Sequence, residues 1–293
     1  RRRLLAASSP TGPAFEGAQI SGGQRAAPGA IERVRIDRTT LEPRFRVIGV
    51  EPWSDAPDFT EAVGETGVTG ICGSGIIEVV AELFLAGVIT EDGVIDGSLA
   101  ARSARIVGEG RTFSYVLSDG VGGSPRIAIT QGDVRAIQLA KAALYAGVRL
   151  LMDQLEIETV DDIRLAGAFG SQIDTTHAMV LGLIPDCELA NVRSAGNAAG
   201  TGALIALLSA AARAEIEAVV RQVEKVETAV EPRFQAHFVS ALAFPHKTAD
   251  FPNLARVVPL PPRKAVAGGA ARTDERNERR RRRPVAAGTT EDA

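Results

Sequence analysis

Three segments of the chain place glycines where a strand gives way to a helix: Gly73-Ser74-Gly75, Gly167-Ala168-Phe169-Gly170, and Gly196 to Gly202 with Asn197 inside it. Such turns bring backbone N–H groups and the positive end of a helix close to a ligand, which suits phosphate or the edge of a nucleotide. Glycine at such places also lets a helix pack closely on a sheet, so each turn taken alone supports either reading. Gln138 and Lys141 lie one helical turn apart. They share a face, as a joint ligand contact requires, and a solvated polar face is the alternative. Asn197 can hold its own turn through an Asx-type bond or reach the ligand, with the structural role preferred. No Walker A motif occurs, and no Gly-x-Gly-x-x-Gly follows a strand, which disfavours P-loop and dinucleotide sites.

Other chemistries are poorly supplied. Cys72 and Cys187 are the two cysteines and form no C-x-x-C pair, so neither a zinc site nor an iron-sulfur cluster can be built from this chain alone. Cys72, flanked by apolar residues, reads as a small core residue. His177, His237 and His246 are scattered and are assigned no chemistry; no catalytic residue and no metal ligand is proposed from sequence. The formal charge of -3 over 293 residues and a pI near 5.8 give no basic field for nucleic acid. No run approaches the ~20 apolar residues of a membrane span and no signal-peptide pattern opens the chain, so a cytoplasmic location is expected. The first residue is Arg1, and Arg1-Arg2-Arg3 leads straight into an apolar segment, as if a domain had been entered partway.

With 45% hydrophobic residues and a mean hydropathy of +0.06, the chain can bury a sizeable core. Residues 4–50 read as β-rich, with Ala30 to Ile36 alternating apolar and charged residues. A helix is expected over 74–86, closed by Gly87, and irregular β structure over 92–129. Thr130 then caps a long helix from Gln131 to Leu155 with apolar positions Val134, Ile137, Leu144, Val148 and Leu151. Strand, glycine turn and helix follow twice, at Ile163 to Gly182 and at Val192 to Ser209 and beyond, describing an α/β lobe. A helix at 211–224, a strand at 225–229 and a helix at 231–242 complete the ordered part. From Pro259 onward large apolar residues almost vanish and Arg279 to Arg283 run consecutively, so 1–258 is expected to be the domain and 259–293 a disordered basic tail.

The wording of the turns carries a resemblance. TGPAFEG at 11–17, AAPGAIE at 26–32, GICGSGII at 70–77, ITQGDVRAIQLAKAAL at 129–144, LAGAFGSQID at 165–174 and GNAAGTGALIALLS at 196–209 resemble the C-terminal part of the reductive activators of corrinoid proteins. These belong to the acetate and sugar kinase, heat-shock and actin (ASKHA) superfamily. The resemblance implies an α/β, ribonuclease-H-like lobe of the actin, sugar kinase and heat-shock ATPase superfamily, with ATP and Mg2+ in a cleft between two lobes. It implies ATP-driven electron transfer from a 2Fe-2S cluster that restores cobalt(I) in a methyltransferase system. Carried over by position, Gly167-Ala168-Phe169-Gly170 matches the adenosine motif. Gln138 and Lys141 stand where related folds place polar residues beside adenine and ribose. Gly73-Ser74-Gly75 is the next candidate lining, and Gly12 and Glu16-Gly17 lie just after the expected second phosphate hairpin.

The departures are equally specific. The family's ferredoxin-like domain with four cluster cysteines, its linker domain and its acidic glycine-threonine phosphate hairpins are not found in residues 1–293. The resemblance therefore implies a partial activator, inactive alone, that is a fragment of a longer gene product, or is completed by an N-terminal half on another chain, or is a decayed remnant; its partner is a corrinoid protein or corrinoid-dependent methyltransferase, with a homodimer also open. The alternative is a non-catalytic interaction or dimerisation module derived from the same fold. A small-molecule kinase would fit the fold, but the wording of GPAFEG and GNAAGTGA points away from it.

Overall fold

The alternation at Ala30 to Ile36 produces strand β2 (Ala30–Ile36), whose Val34 and Ile36 turn inward while Arg33 and Arg35 turn outward. In this computed structural model, which describes residues 3–120, 123–167 and 169–262, β2 is the centre of a three-stranded sheet. It pairs antiparallel with β3 (Pro43–Val47) and parallel with the short β4 (Gly70–Ile71). A short helix, α1 (Phe59–Val63), lies in the connection between β3 and β4. Helix α2 (Gly73–Leu85) follows β4 directly and lies against β2 with all of its residues buried. Ile76, Ile77, Val79, Val80 and Leu83 belong to the main core, and burying each stabilises the fold by roughly 1.5–3 kcal/mol.

Residues 92–129, expected to be irregular β structure, contain a regular antiparallel sheet: β5 (Ile106–Glu109), β6 (Thr112–Ser118) and β7 (Ile127–Thr130). Tyr115 on β6 donates its hydroxyl to the Leu41 carbonyl at 2.8 Å, tying this sheet to the β2–β3 hairpin. Helix α3 (Gln131–Leu155) starts and ends where its sequence predicts. Thr130 Oγ1 accepts from Asp133 N, and the Asp133 carboxylate accepts from Thr130 N, a reciprocal capping box. The other oxygen of Asp133 accepts from Ser21 N, fastening the loop after the GPAFEG segment to the start of α3.

The second half repeats strand, turn and helix. Strand β8 (Ile163–Leu165) pairs parallel with β9 (Val192–Ser194), and α4 (Thr175–Leu181) lies between them in sequence, capped by Asp174. The helix expected to run through Ser209 is broken there. Ser209 adopts an extended conformation and caps α6 (Ala210–Val220), separating it from α5 (Ala198–Leu208). Strand β10 (Val223–Val226) pairs parallel with β1 (Leu4–Ala7), and among the described residues these two form a sheet of their own. Helix α7 (Phe234–Ser240) packs on α3, and α8 (Pro252–Val257), which sequence reasoning missed, packs near α4. The expected basic tail lies, from residue 263 on, outside the described residues.

Candidate functional site

The site is built around the C-terminal ends of β8 and β9, the position at which parallel strands in an open sheet present loops to a ligand. Gly167 follows β8 with φ +101, a conformation that glycine adopts without strain, and its N–H donates to the Gly196 carbonyl at 2.8 Å. This bond joins the turn after β8 to the turn after β9. Among the described residues, a side-chain carbon placed on either Gly167 or Gly196 would meet nothing within 4 Å, so open space lies over both turns. Asn197 accepts from Gly200 N at 3.0 Å through its side chain and so caps α5, the structural role that its type suggested.

Phe169 links these turns to the rest of the fold. Its ring stacks with that of Phe15 at a centroid separation of 6.4 Å, and it lies over Gly73, where a side-chain carbon would fall 2.4 Å from the ring and 2.2 Å from the Phe15 carbonyl. Three of the recognised segments, GPAFEG, GICGSG and LAGAFG, therefore meet at one place, and the N–H to carbonyl bond from Gly167 brings in the fourth, GNAAG. Gly170 is held against the Ala166 backbone. Ala168 lies outside the described residues.

The other expected site residues are placed differently. Gly73 and Gly75 are buried contacts: a side chain on Gly75 would fall 2.4 Å from the Ile31 carbonyl, so both glycines serve the close approach of α2 to β2 and to the phenylalanine pair. Ser74 is buried, with its hydroxyl 3.4 Å from the Cys72 thiol. Gln138 and Lys141 share a face of α3 as expected, but that face is neither solvated nor turned to the glycine turns. They are 2% and 0% exposed. Gln138 Nε2 donates to the Asp92 and Leu242 carbonyls, and Lys141 Nζ donates to the Ala243 and Pro245 carbonyls beneath the Phe244 ring. Burial pushes the Lys141 ammonium well below the usual lysine range. These two side chains hold the 242–245 segment onto α3, and contact with a nucleotide would require that segment to leave.

A charged network stands beside the turns, and it was not anticipated from sequence. Glu78 and Glu82, four residues apart on α2, accept the backbone N–H groups of Val34 and Ile36 on β2. Glu78 also receives Arg33 at 2.9 Å and Arg35 at 2.6 Å. Arg33 reaches on to the Gln172 carbonyl at 3.0 Å, anchoring the turn after β8 from below. His177 lies with Nε2 2.9 Å from Glu82 and Nδ1 2.9 Å from Asp174. Despite its burial, the Asp174 and Glu82 carboxylates that face its two ring nitrogens raise its pKa to about 9, so the ring is an imidazolium at neutral pH. Donor atoms of Glu78, Asp174 and His177 lie within 4.8 Å of one another, the spacing of a metal site. Both Glu78 oxygens already serve guanidinium groups, and three carboxylates face three cations, so the cluster is charge-balanced as it stands. The signal available in the sequence was the pair of glutamates at i and i+4 inside an otherwise apolar helix, together with Asp174 three residues before His177.

A protein-family model described as the C-terminal domain of RACo, the ASKHA domain, matches residues 1–255. The corrinoid activation enzyme RamQ of Eubacterium limosum is 35% identical over 241 residues, covering 79% of this chain and 38% of that relative. A solved structure of a reductive activator for corrinoid, iron-sulfur protein superposes with a TM-score of 0.71 at 34% identity, covering 83% of this chain and 37% of its own length. The chain thus spans under two-fifths of the length of these relatives. On the match of almost its entire described length, it belongs to the family of the C-terminal ASKHA domain of RACo.

Proposed function

We propose that this chain forms the nucleoside-binding part of an ATP-dependent reductive activator of a corrinoid protein, inactive alone. The observation that carries the reading is the pair of open glycine turns at Gly167 and Gly196, joined by one hydrogen bond at the C-terminal ends of two parallel strands. Backbone there can approach a flat nucleoside closely, and the Phe169–Phe15 stack gives one flank an apolar wall. Arg33 and its bond to Gln172 keep the turn in position before ligand arrives. When bound, ATP with Mg2+ would supply free energy for a change of lobe arrangement, through its different affinity for the two arrangements.

The remaining parts of the reaction would come from elsewhere than these 293 residues. No Asp-x-Gly-Thr sequence is present to hold the β- and γ-phosphates with Mg2+. Cys72 and Cys187 are both buried and do not fit a 2Fe-2S cluster, which takes four protein ligands. A complementary polypeptide would carry those groups, and a corrinoid protein or corrinoid-dependent methyltransferase in the cytoplasm would receive the electron. The second reading, a non-catalytic interaction or dimerisation module, is favoured by the bare apolar surface of α5 and α6.

Calorimetric titration of the purified chain with Mg-ATP and Mg-ADP tests the proposal. Saturable binding is expected, weakened at least ~10-fold, about 1.4 kcal/mol, by Gly167→Asp. It should be retained by Gly110→Asp, which adds the same carboxylate at another positive-φ glycine, in the β5–β6 hairpin, with nothing described within 4 Å of the new side-chain carbon. A folded wild-type chain that binds neither nucleotide would overturn the nucleotide reading and leave the interaction module.

A further inference from the structure

The segment that carries the Gly167 turn lies along α2 and is fixed to it in order. Phe169 covers Gly73, the Gln172 carbonyl takes Arg33, which Glu78 holds, and Asp174 stands against His177, which Glu82 holds. The first contact is apolar packing, and the second is a pair of directed hydrogen bonds. The third is of another kind, because the two ring nitrogens of His177 are not equivalent. Nε2 shares a hydrogen bond with Glu82 Oε1 at 2.9 Å. Nδ1 is buried 2.9 Å from Asp174 Oδ1 yet makes no directed hydrogen bond, so charge holds that pair together.

The same oxygen of Asp174 accepts the His177 amide at 2.9 Å, capping α4 and closing the turn. A neutral imidazole has one N–H. Kept at Nε2 for Glu82, it leaves a lone pair on Nδ1 beside that oxygen, and attraction becomes repulsion. The charged groups around the ring are Glu78 and Glu82 from α2, Asp174 from the turn, and Arg33 and Arg35 from β2. Loss of the ring proton therefore leaves three carboxylates facing two cations. The imbalance falls on Asp174, because Glu78 keeps both guanidiniums and Glu82 keeps the N–H groups of Nε2 and of Ile36.

We propose that His177 is a positioning residue for the nucleoside turn: its imidazolium holds Asp174 and with it the end of the turn, and the neutral ring releases it, so nucleotide affinity depends on that one proton. The inference rests on the nucleotide reading of the Gly167 and Gly196 turns. It adds a regulation of that site by pH. Burial disfavours the charged ring, and the facing carboxylates outweigh burial, so the proton is kept until about pH 9. Affinity is therefore full at neutral pH and falls in alkali.

Calorimetry with Mg-ADP tests this at neutral pH and at about pH 10, above the ring's titration, with magnesium kept equimolar to the nucleotide so that no hydroxide precipitates. Circular dichroism checks that each protein is folded under both conditions. The wild-type chain is expected to bind at least ~10-fold more weakly at the upper pH. In His177→Gln and, independently, in Asp174→Asn, the two affinities should become nearly equal, because either change removes a charge on which the effect depends. Wild-type binding that is the same at both pH values overturns the inference alone and leaves the nucleotide reading standing. An equal fall in the folded variants assigns it to other groups and also overturns the inference. Binding at neither pH by a folded wild-type chain overturns the nucleotide reading and this inference together.

Discussion

Helices α2 and α5 have nearly opposite relations between composition and environment. α2 carries two glutamates and is buried from end to end, while α5 carries no charge and is bare. In α2 the acids are tolerated because each has partners: Glu78 takes the Val34 amide and two arginines, and Glu82 takes the Ile36 amide and His177. In α5 the leucines stand exposed among the described residues. Hydrophobic composition thus reports what a segment needs to bury, and burial reports whether the counterpart is at hand.

The largest effect that would break this comparison lies at Glu78. Removing one member of a buried, hydrogen-bonded ion group leaves the others unpaired, so Glu78→Ala should lower unfolding free energy by roughly 3–5 kcal/mol in urea titrations. A change under about 1 kcal/mol would mean that the network behaves as a surface cluster. A smaller effect concerns pH. The folded-state pKa of His177 is raised above its unfolded value, from 6.5 to about 9, so the stability it contributes is fully present below 6.5 and lost as pH rises through 9. The urea midpoint should fall across that window, and His177→Gln should flatten the fall. An equal fall in the variant would assign it to other groups. Smallest of all is Leu208→Ser in the isolated chain, expected within about 0.5 kcal/mol of wild type by thermal unfolding because that side chain is 76% exposed. A loss like that of a core leucine, about 2–5 kcal/mol, would show that α5 is covered in solution.

Much of the fold could be read from local chemistry. Thr130 announced α3, and Gly182 marked the end of α4, because capping is decided within a few residues. The regular sheet at 106–130 was obscured because its ladder depends on partners distant in sequence and on a bulge between Val116 and Ser118. Short helices such as α1 and α8 lack the length that makes a period visible. At the site, the meeting of the glycine turns after β8 and β9 follows from strand-turn-helix order, since parallel strands deliver their loops to one end. The fates of Gln138 and Lys141 did not, because the carbonyls that engage them belong to residues about a hundred positions away. Helical spacing shows that two residues share a face and is silent about what that face meets.

The glutamates of α2 have one more consequence. By taking the Val34 and Ile36 amides they do for β2 what a neighbouring strand would otherwise do, and they leave those donors with nothing to offer another molecule. The sheet around β2 is thereby guarded against edge-to-edge aggregation, while β1 has no such guard. Misassembly of this chain at high concentration should therefore begin at residues 4–7, and a lysine introduced at Ala6, which is exposed, is the change that would blunt it.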